Sequence, residues 1–398
     1  MADLPRSADV VIIGGGVHGA SAAFHLARKK AGRVLLIERK FVASGPTGRS
    51  TALVRQFYAM DFFTRSACAA HAMFRDWKDV VGGDGDPGFQ RVGFLALAGP
   101  ERAPHLRRNA QRAAELGAGL VLLSPDELKR LVPAMRVDDL ALASYEEDSG
   151  YADPSSTANA LMNRARELGA TLVQYRGVDR IRTAAGKVVG VTSEGVDVDA
   201  PVVLNCAGLY AGRLLAPLGI DVAIKPERHQ MCFFRRPAGF GVHPAVADSL
   251  LMTYMRPEHG DLTIHGKLSY DEIVDPDSYN EGADPDQIVK NAELIAERFP
   301  VMEHGLAMGG YSGLYDATSD HHPVLGAVPE YAGLYVDFGW SGHGFKHSPF
   351  IGDLMSDLIL HGKTPDFDLT PFRWTRFREN DLVPSARWAA DPHPKHRL

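Results

Sequence analysis

The chain has 398 residues, 45% of them hydrophobic and 23% charged, with a formal net charge of −6. That length exceeds one simple core and suits two domains or a large α/β domain with an insertion, while the acidic balance leaves no basic footprint for nucleic acid. Three widely separated cysteines (Cys68, Cys206 and Cys232) give neither a metal pair nor a disulfide framework. No apolar run approaches the ~18 residues of a membrane span, and the N-terminal segment lacks a signal-peptide pattern, so a cytoplasmic location is expected.

The first element is an apolar run over 9–13, as expected for a buried parallel strand. Gly14-Gly15-Gly16-Val17-His18-Gly19 follows, with Gly14, Gly16 and Gly19 in the places of G-x-G-x-x-G. Ala20, Ala23, Phe24 and Ala27 then recur at helical spacing, and a second strand, Val34 to Ile37, ends at Glu38. This is a complete βαβ unit for a dinucleotide. Gly14 permits the tight turn, Gly16 lets the backbone approach a pyrophosphate, and Gly19 allows the helix to pack on the strand. The helix start at Val17 and His18 offers N–H groups and a partial positive charge to phosphate. Glu38 is placed to accept from a ribose hydroxyl and favours an unphosphorylated ribose, with Arg39 beside it pointing the other way. The unit alone does not separate NAD from FAD.

A Gly/Ser/Thr loop containing Gly48, Arg49 and Ser50 runs into an apolar stretch containing Arg55. A helix is expected from about 62 to 80, a loop over 82–88, a strand over 92–97 and a helix from 103 to 116. Ser124-Pro125-Asp126-Glu127 is a capping box opening a further helix. A helix over 155–168 leads into a strand at 171–174, and 178–199 reads as a short antiparallel meander. The apolar run from Val202 to Gly208 is a buried strand rejoining the parallel sheet. From 225 to 273 the chain is β-rich, with 231–234 and 262–265 as candidate strands. Asp284 is expected to cap a helix reaching about Phe299. The last third is Gly-rich, then helical over 345–361, and 384–398 reads as a tail.

Three separated motifs, Val10 to Glu38, Asn205-Cys206-Ala207-Gly208, and Tyr315 to Lys346, resemble those of the D-amino-acid-oxidase-like FAD-dependent amine oxidoreductases. Within them the chain resembles the branch of sarcosine oxidase β-subunits and monomeric sarcosine oxidases. Asp320 to Gly326 is similar to the family's aspartate-x-x-proline-hydrophobic-glycine segment, and Trp340-Ser341-Gly342-His343-Gly344-Phe345-Lys346 to its flavin-binding segment. The resemblance implies an α/β (overall α+β) protein with a Rossmann-like FAD-binding domain and an interleaved antiparallel-sheet substrate domain. The FAD-binding domain is assigned to 1–84, 151–219 and 306–383, and the substrate domain to 85–150 and 220–305. It further implies oxidation of a C–N bond of a secondary or N-substituted amino acid (sarcosine-, proline- or iminodiacid-like), with hydride transfer to flavin N5 and hydrolysis of the imine.

Cofactor contacts implied are Gly14, Gly16, Val17, His18, Gly19, Glu38, Arg39, Gly48, Arg49, Ser50, Gly208, Gly342, His343, Gly344, Phe345 and Lys346. Arg55, with Lys346, matches the family's carboxylate-binding pair, and a forked guanidinium suits a carboxylate. Tyr254, His265 and Lys267 are further candidates for substrate contact. His343 is expected to shape the flavin loop rather than act as a base. Monomeric sarcosine oxidases tether FAD through a cysteine at the place of Gly313, and dimethylglycine dehydrogenase relatives through a histidine in the 43–54 loop. This chain has neither, so non-covalent FAD is expected. The family's oxygen-activating lysine is placed at Thr263, with Lys267 nearby, which leaves oxidase and dehydrogenase both open. A subunit of a multi-subunit amine dehydrogenase and an NAD-dependent dehydrogenase stand as alternatives, and homo-oligomer or partner subunits are undecided. No HExxH or other metal motif is present.

Overall fold

The computed structural model of the protein describes residues 4–270 and 272–384. A six-stranded sheet runs in the order Val324–Ala327, Leu334–Phe338, Val202–Asn205, Val10–Ile13, Val34–Ile37, Thr171–Val173. All neighbours are parallel except the first two, which form an antiparallel pair. Period-two alternation sorts its side chains. Val10, Ile12, Val34 and Leu36 enter a core with the helices Val17–Arg28, Pro154–Glu167 and Ser348–His361. Val11, Ile13, Leu35 and Ile37 face the other way, against the three-stranded meander of 180–199. Both faces being covered, the strands read as unbroken apolar runs.

A second, nine-stranded sheet lies beside the first, and every pairing in it is antiparallel except that of Ala245–Asp248 with Phe94–Ala98. Its long member Lys225–Arg235 pairs on one side with Leu262–Lys267 and on the other with Leu306–Ala317. The return to the parallel sheet therefore comes at Val324 and not at 306, because Leu306–Ala317 spends its hydrogen bonds on the second sheet. The cut expected between 305 and 306 falls before the wrong strand.

Other boundaries shift for local reasons. The helix expected over 62–80 breaks at Asp76 into Asp61–Arg75 and Trp77–Val80. The strand expected from Val92 starts at Phe94, since Gly93 has φ +80°. The final helix opens with a 3-10 turn, Phe345–His347, before Ser348–His361. Ser124 and Glu127 form the capping box as written. Asp284 stands at the N-cap of Pro285–Arg298, but its carboxylate accepts from Arg228 and Gln230 instead of capping. The tail lies outside the described residues apart from Pro384. Among the described residues no helix is long and apolar enough to cross a membrane, and no group of side chains gathers that could hold a metal ion.

Candidate cofactor and substrate site

The Gly-rich turn joins the first strand to the helix Val17–Arg28, whose N-cap is Gly16 and carries no side-chain cap. Val17 N donates to Thr47 Oγ1 at 3.1 Å. A Cβ at Gly19 would lie 2.0 Å from Gly14 O, so only glycine lets the helix start this close to the strand. Glu38, at the end of the second strand, accepts from Gly15 N (2.7 Å) and Lys40 N (2.8 Å), which holds its carboxylate beside the turn.

A cavity of about 440 Å³ runs from this turn into the seam between the two sheets. Gly14, Gly16, Val17, His18, Glu38, Arg39, Arg49, Ser50, Gly208, Gly342, Gly344 and Phe345 line it, as does Tyr254. Gly19 and Gly48 are packing positions behind it: Gly48 N donates to Ala43 O, and a Cβ there would lie 2.4 Å from that oxygen. Arg39 turns away from the ribose end, its guanidinium 3.7 Å over the Tyr210 ring and ion-paired with Asp277. Cradle, acid and open helix start together fit a dinucleotide pyrophosphate and ribose.

The loop 339–344 forms the far wall. Asp316, half-buried and with its carboxyl pushed up by desolvation, accepts from Gly339 N (2.8 Å) and Ser341 N (3.2 Å). Gly342 has φ +88°, and a Cβ there would lie 2.0 Å from the Tyr315 ring. His18 is fixed by three contacts: Asp337 Oδ2 at 3.0 Å, Gly344 O at 3.2 Å and the stacked Trp340 ring at 4.6 Å. His343 points away from the cavity, its Nε2 3.2 Å from His321 O and its ring against Phe63.

Arg55 and Lys346 are both buried, and both come to Tyr58. The Arg55 guanidinium lies 3.8 Å over the Tyr58 ring and donates to Phe57 O; Lys346 Nζ is 5.9 Å from the same ring and donates to His343 O at 3.3 Å. Burial and the Arg55 charge push the Lys346 ammonium well below its ordinary range. Burial also pushes the Tyr58 phenol up to about 12. The nearby acid, Glu146, is fully buried, and its carboxylate accepts from Gln56 N (2.7 Å), Phe57 N (3.2 Å) and Ser149 Oγ (2.6 Å). Neither side chain is among the walls of the main cavity, which Phe345, next to Lys346 in the chain, does line.

The pairings of the strand Leu262–Lys267 decide which of its residues face the cavity. Pairing sets Met231, Gly266 and Tyr254 across from one another, and Ile264 joins Met231 and Tyr254 in one cluster on the cavity face. Thr263 and His265 point to the opposite face. There, His265 Nδ1 meets Asn291 Oδ1 at 2.7 Å, and Thr263 Oγ1 meets His243 Nε2 at 2.9 Å. His265 is thus a core residue, and Lys267, at the strand end, does not line the cavity. Sequence reasoning missed Thr47, Met231 and His229, which line the cavity, His229 with its ring stacked on Tyr315 at 3.7 Å, and it gave no role to Tyr58, Tyr315 or Asp316. Tyr58 follows Arg55 by three residues in one apolar run, and Tyr315 and Asp316 open the last motif, while Thr47, His229 and Met231 had no local signal.

The family model described as "FAD dependent oxidoreductase" matches residues 9–358. The chain belongs to that family. It is 28% identical over 97% of its length to mitochondrial sarcosine dehydrogenase of Mus musculus, but spans only 43% of that protein. It is 27% identical to human peroxisomal sarcosine oxidase, covering 93% of this chain and 96% of the relative. Among solved structures, L-proline dehydrogenase from P. horikoshii superposes with a TM-score of 0.87 at 25% identity, over 96% of this chain and 100% of that one. The protein is accordingly an FAD-dependent oxidoreductase.

Proposed function

We propose that this flavoenzyme oxidises the C–N bond of a small secondary or N-substituted amino acid, with FAD held non-covalently. The observation that carries the reading is the buried Arg55–Lys346 pair behind the flavin-binding loop. Two cationic side chains share one desolvated place, and the nearby carboxylate of Glu146 is already committed to two backbone N–H groups and a hydroxyl. Such a place calls for an anion, and the carboxylate of an amino acid supplies it. Three relatives named for sarcosine or proline oxidation support the same substrate class.

FAD, when bound, supplies the two-electron acceptor. The Gly14–Gly19 turn would hold its pyrophosphate and Glu38 its ribose, with the loop 339–344 on the side of its ring system. Arg55 takes the substrate carboxylate in a fork, Tyr58 backs the guanidinium, and Lys346 adds the second charge. Met231, Tyr254 and Ile264 exclude water from the face where the amine lies. An arriving carboxylate favours the charged form of Lys346, which burial and the Arg55 charge disfavour.

The test is an anaerobic screen of sarcosine, proline, iminodiacetate and glycine, following flavin absorbance. Bleaching by one of them is expected, with Arg55→Gln raising the half-saturating concentration at least tenfold. No bleaching by any substrate of the panel refutes the reading. The chain spans less than half of sarcosine dehydrogenase. Bleaching that requires added small subunits would instead make the protein the flavoprotein part of a multi-subunit amine dehydrogenase. The separated cysteines support the cytoplasm as its compartment.

A further inference from the structure

The segment 274–283 reaches from the second sheet to the rim of the cofactor cavity. Its C-terminal end is anchored by Arg228, a buried guanidinium that donates to Asn280 O (3.1 Å), Gly282 O (2.9 Å) and the Asp284 carboxylate (2.8 Å). Its other end crosses to the parallel-sheet layer. There the Asp277 carboxylate accepts from Arg213 (2.7 Å), Tyr210 Oη (2.8 Å) and Arg39 (3.4 Å), and the two guanidinium groups lie 3.7 and 5.0 Å from the Tyr210 ring. Glu281, between the two anchored carbonyls, pairs with Arg49 at 2.6 Å. The other arm of Arg49 donates to Ser312 O, beside the Gly313 where certain relatives carry a cysteine tether. Arg39, Arg49, Tyr210 and Arg213 all line the cavity.

We propose that 274–283 is an ionic strap that retains FAD by pinning these four rim side chains across the cavity mouth. The inference rests on the non-covalent reading of the cofactor. Without a covalent bond, release is limited by how often the rim opens. Arg213, Tyr210 and Arg39 hold the Asp277 carboxyl down to about 2, so the strap keeps its charge throughout the working pH range. Asp277 and Glu281 are 45% and 63% exposed. Exposed pairs of this kind are weak singly and screened by salt. The strap therefore adds little to the fold, while several contacts must part together before the rim can widen.

The experiment dilutes the FAD-loaded protein and follows the rise of free-flavin fluorescence, at low salt and at about 0.5 M NaCl. Wild-type release is expected to accelerate with salt. Asp277→Asn and Glu281→Gln should each release FAD about threefold to tenfold faster at low salt, and the double variant should lose the salt response. Asp277→Glu should restore slow release. Variants that release at the wild-type rate, or a double variant that keeps the salt response, overturn the strap. So does an equal loss of melting temperature in apo and FAD-loaded variants, because that marks a structural role only. Flavin that stays with acid-precipitated protein refutes the non-covalent reading, and the strap with it; flavin that is released by acid while the off-rates stay unchanged refutes the strap alone.

Discussion

A methyl group added at Gly19 tests how the cofactor turn is built. Its Cβ would sit 2.0 Å from Gly14 O and 3.4 Å from Ile12 Cγ2. Neither side yields easily: Gly14 N is bonded to Ile37 O at 2.9 Å, and the helix Val17–Arg28 is packed between Pro154–Glu167 and Ser348–His361. Restoring an ordinary contact of ~3.4 Å requires the helix start to move by roughly 1.4 Å, and overpacking on this scale costs about 1–3 kcal/mol. The same movement carries the open N–H groups out of the 2.7–3.2 Å range in which they hold a phosphate oxygen. One lost bond to a charged acceptor is worth about 1.5–3 kcal/mol, or roughly 10- to 150-fold in affinity. Gly19→Ala apoprotein titrated with FAD, with flavin fluorescence as readout, should bind at least tenfold more weakly and melt several degrees lower. Binding within twofold of wild type at an unchanged melting temperature would refute the packing argument.

Burial holds the imidazoles of His243 and His265 down to about 4. Each is neutral when folded but protonates near 6.5 once unfolded, so their contribution is intact above pH 6.5 and is lost as the pH falls toward 4. The full loss is on the order of 3 kcal/mol per ring. Thermal melts between pH 7.5 and 5 should show this slope, and His265→Gln should flatten it; a flat wild-type profile counts against it. Ile264 occupies the cavity-facing position nearest the place where the resemblance puts an oxygen-activating lysine. Photoreduced wild-type protein should therefore reoxidise slowly in air and Ile264→Lys at least tenfold faster, and equal rates would refute the register argument. Arg298 pairs with the wholly buried Asp248 at 2.7 Å and also donates to Asp139 at 2.8 and 3.0 Å. Arg298→Ala, which leaves the Asp248 carboxylate buried without this cation, should cost about 3–5 kcal/mol in urea unfolding, and a loss below 1 kcal/mol would contradict that.

The sequence by itself determined the local devices of this protein. The βαβ unit, the glycines of its turn, the capping box at Ser124 and the flavin-binding loop each depend on residues a few positions apart, where backbone sterics and local hydrogen bonds decide the outcome. Arg55 and Lys346 each sit inside a recognisable segment, but nothing in the chain says that both meet at Tyr58. The tertiary structure decided the register of Leu262–Lys267. Both faces of that strand are covered, so apolar alternation carries no sign of which side looks at the cofactor, and only pairing with Met231–Arg235 and Thr253–Pro257 sets it. It also decided what Asp284 and Asp277 do. A carboxylate at a helix start reads as a cap and one in a loop as solvated, until a fold brings Arg228 to the first and Arg213 to the second. Electrostatic partners distant in sequence leave no periodic trace, because their pairing depends on charge and proximity alone.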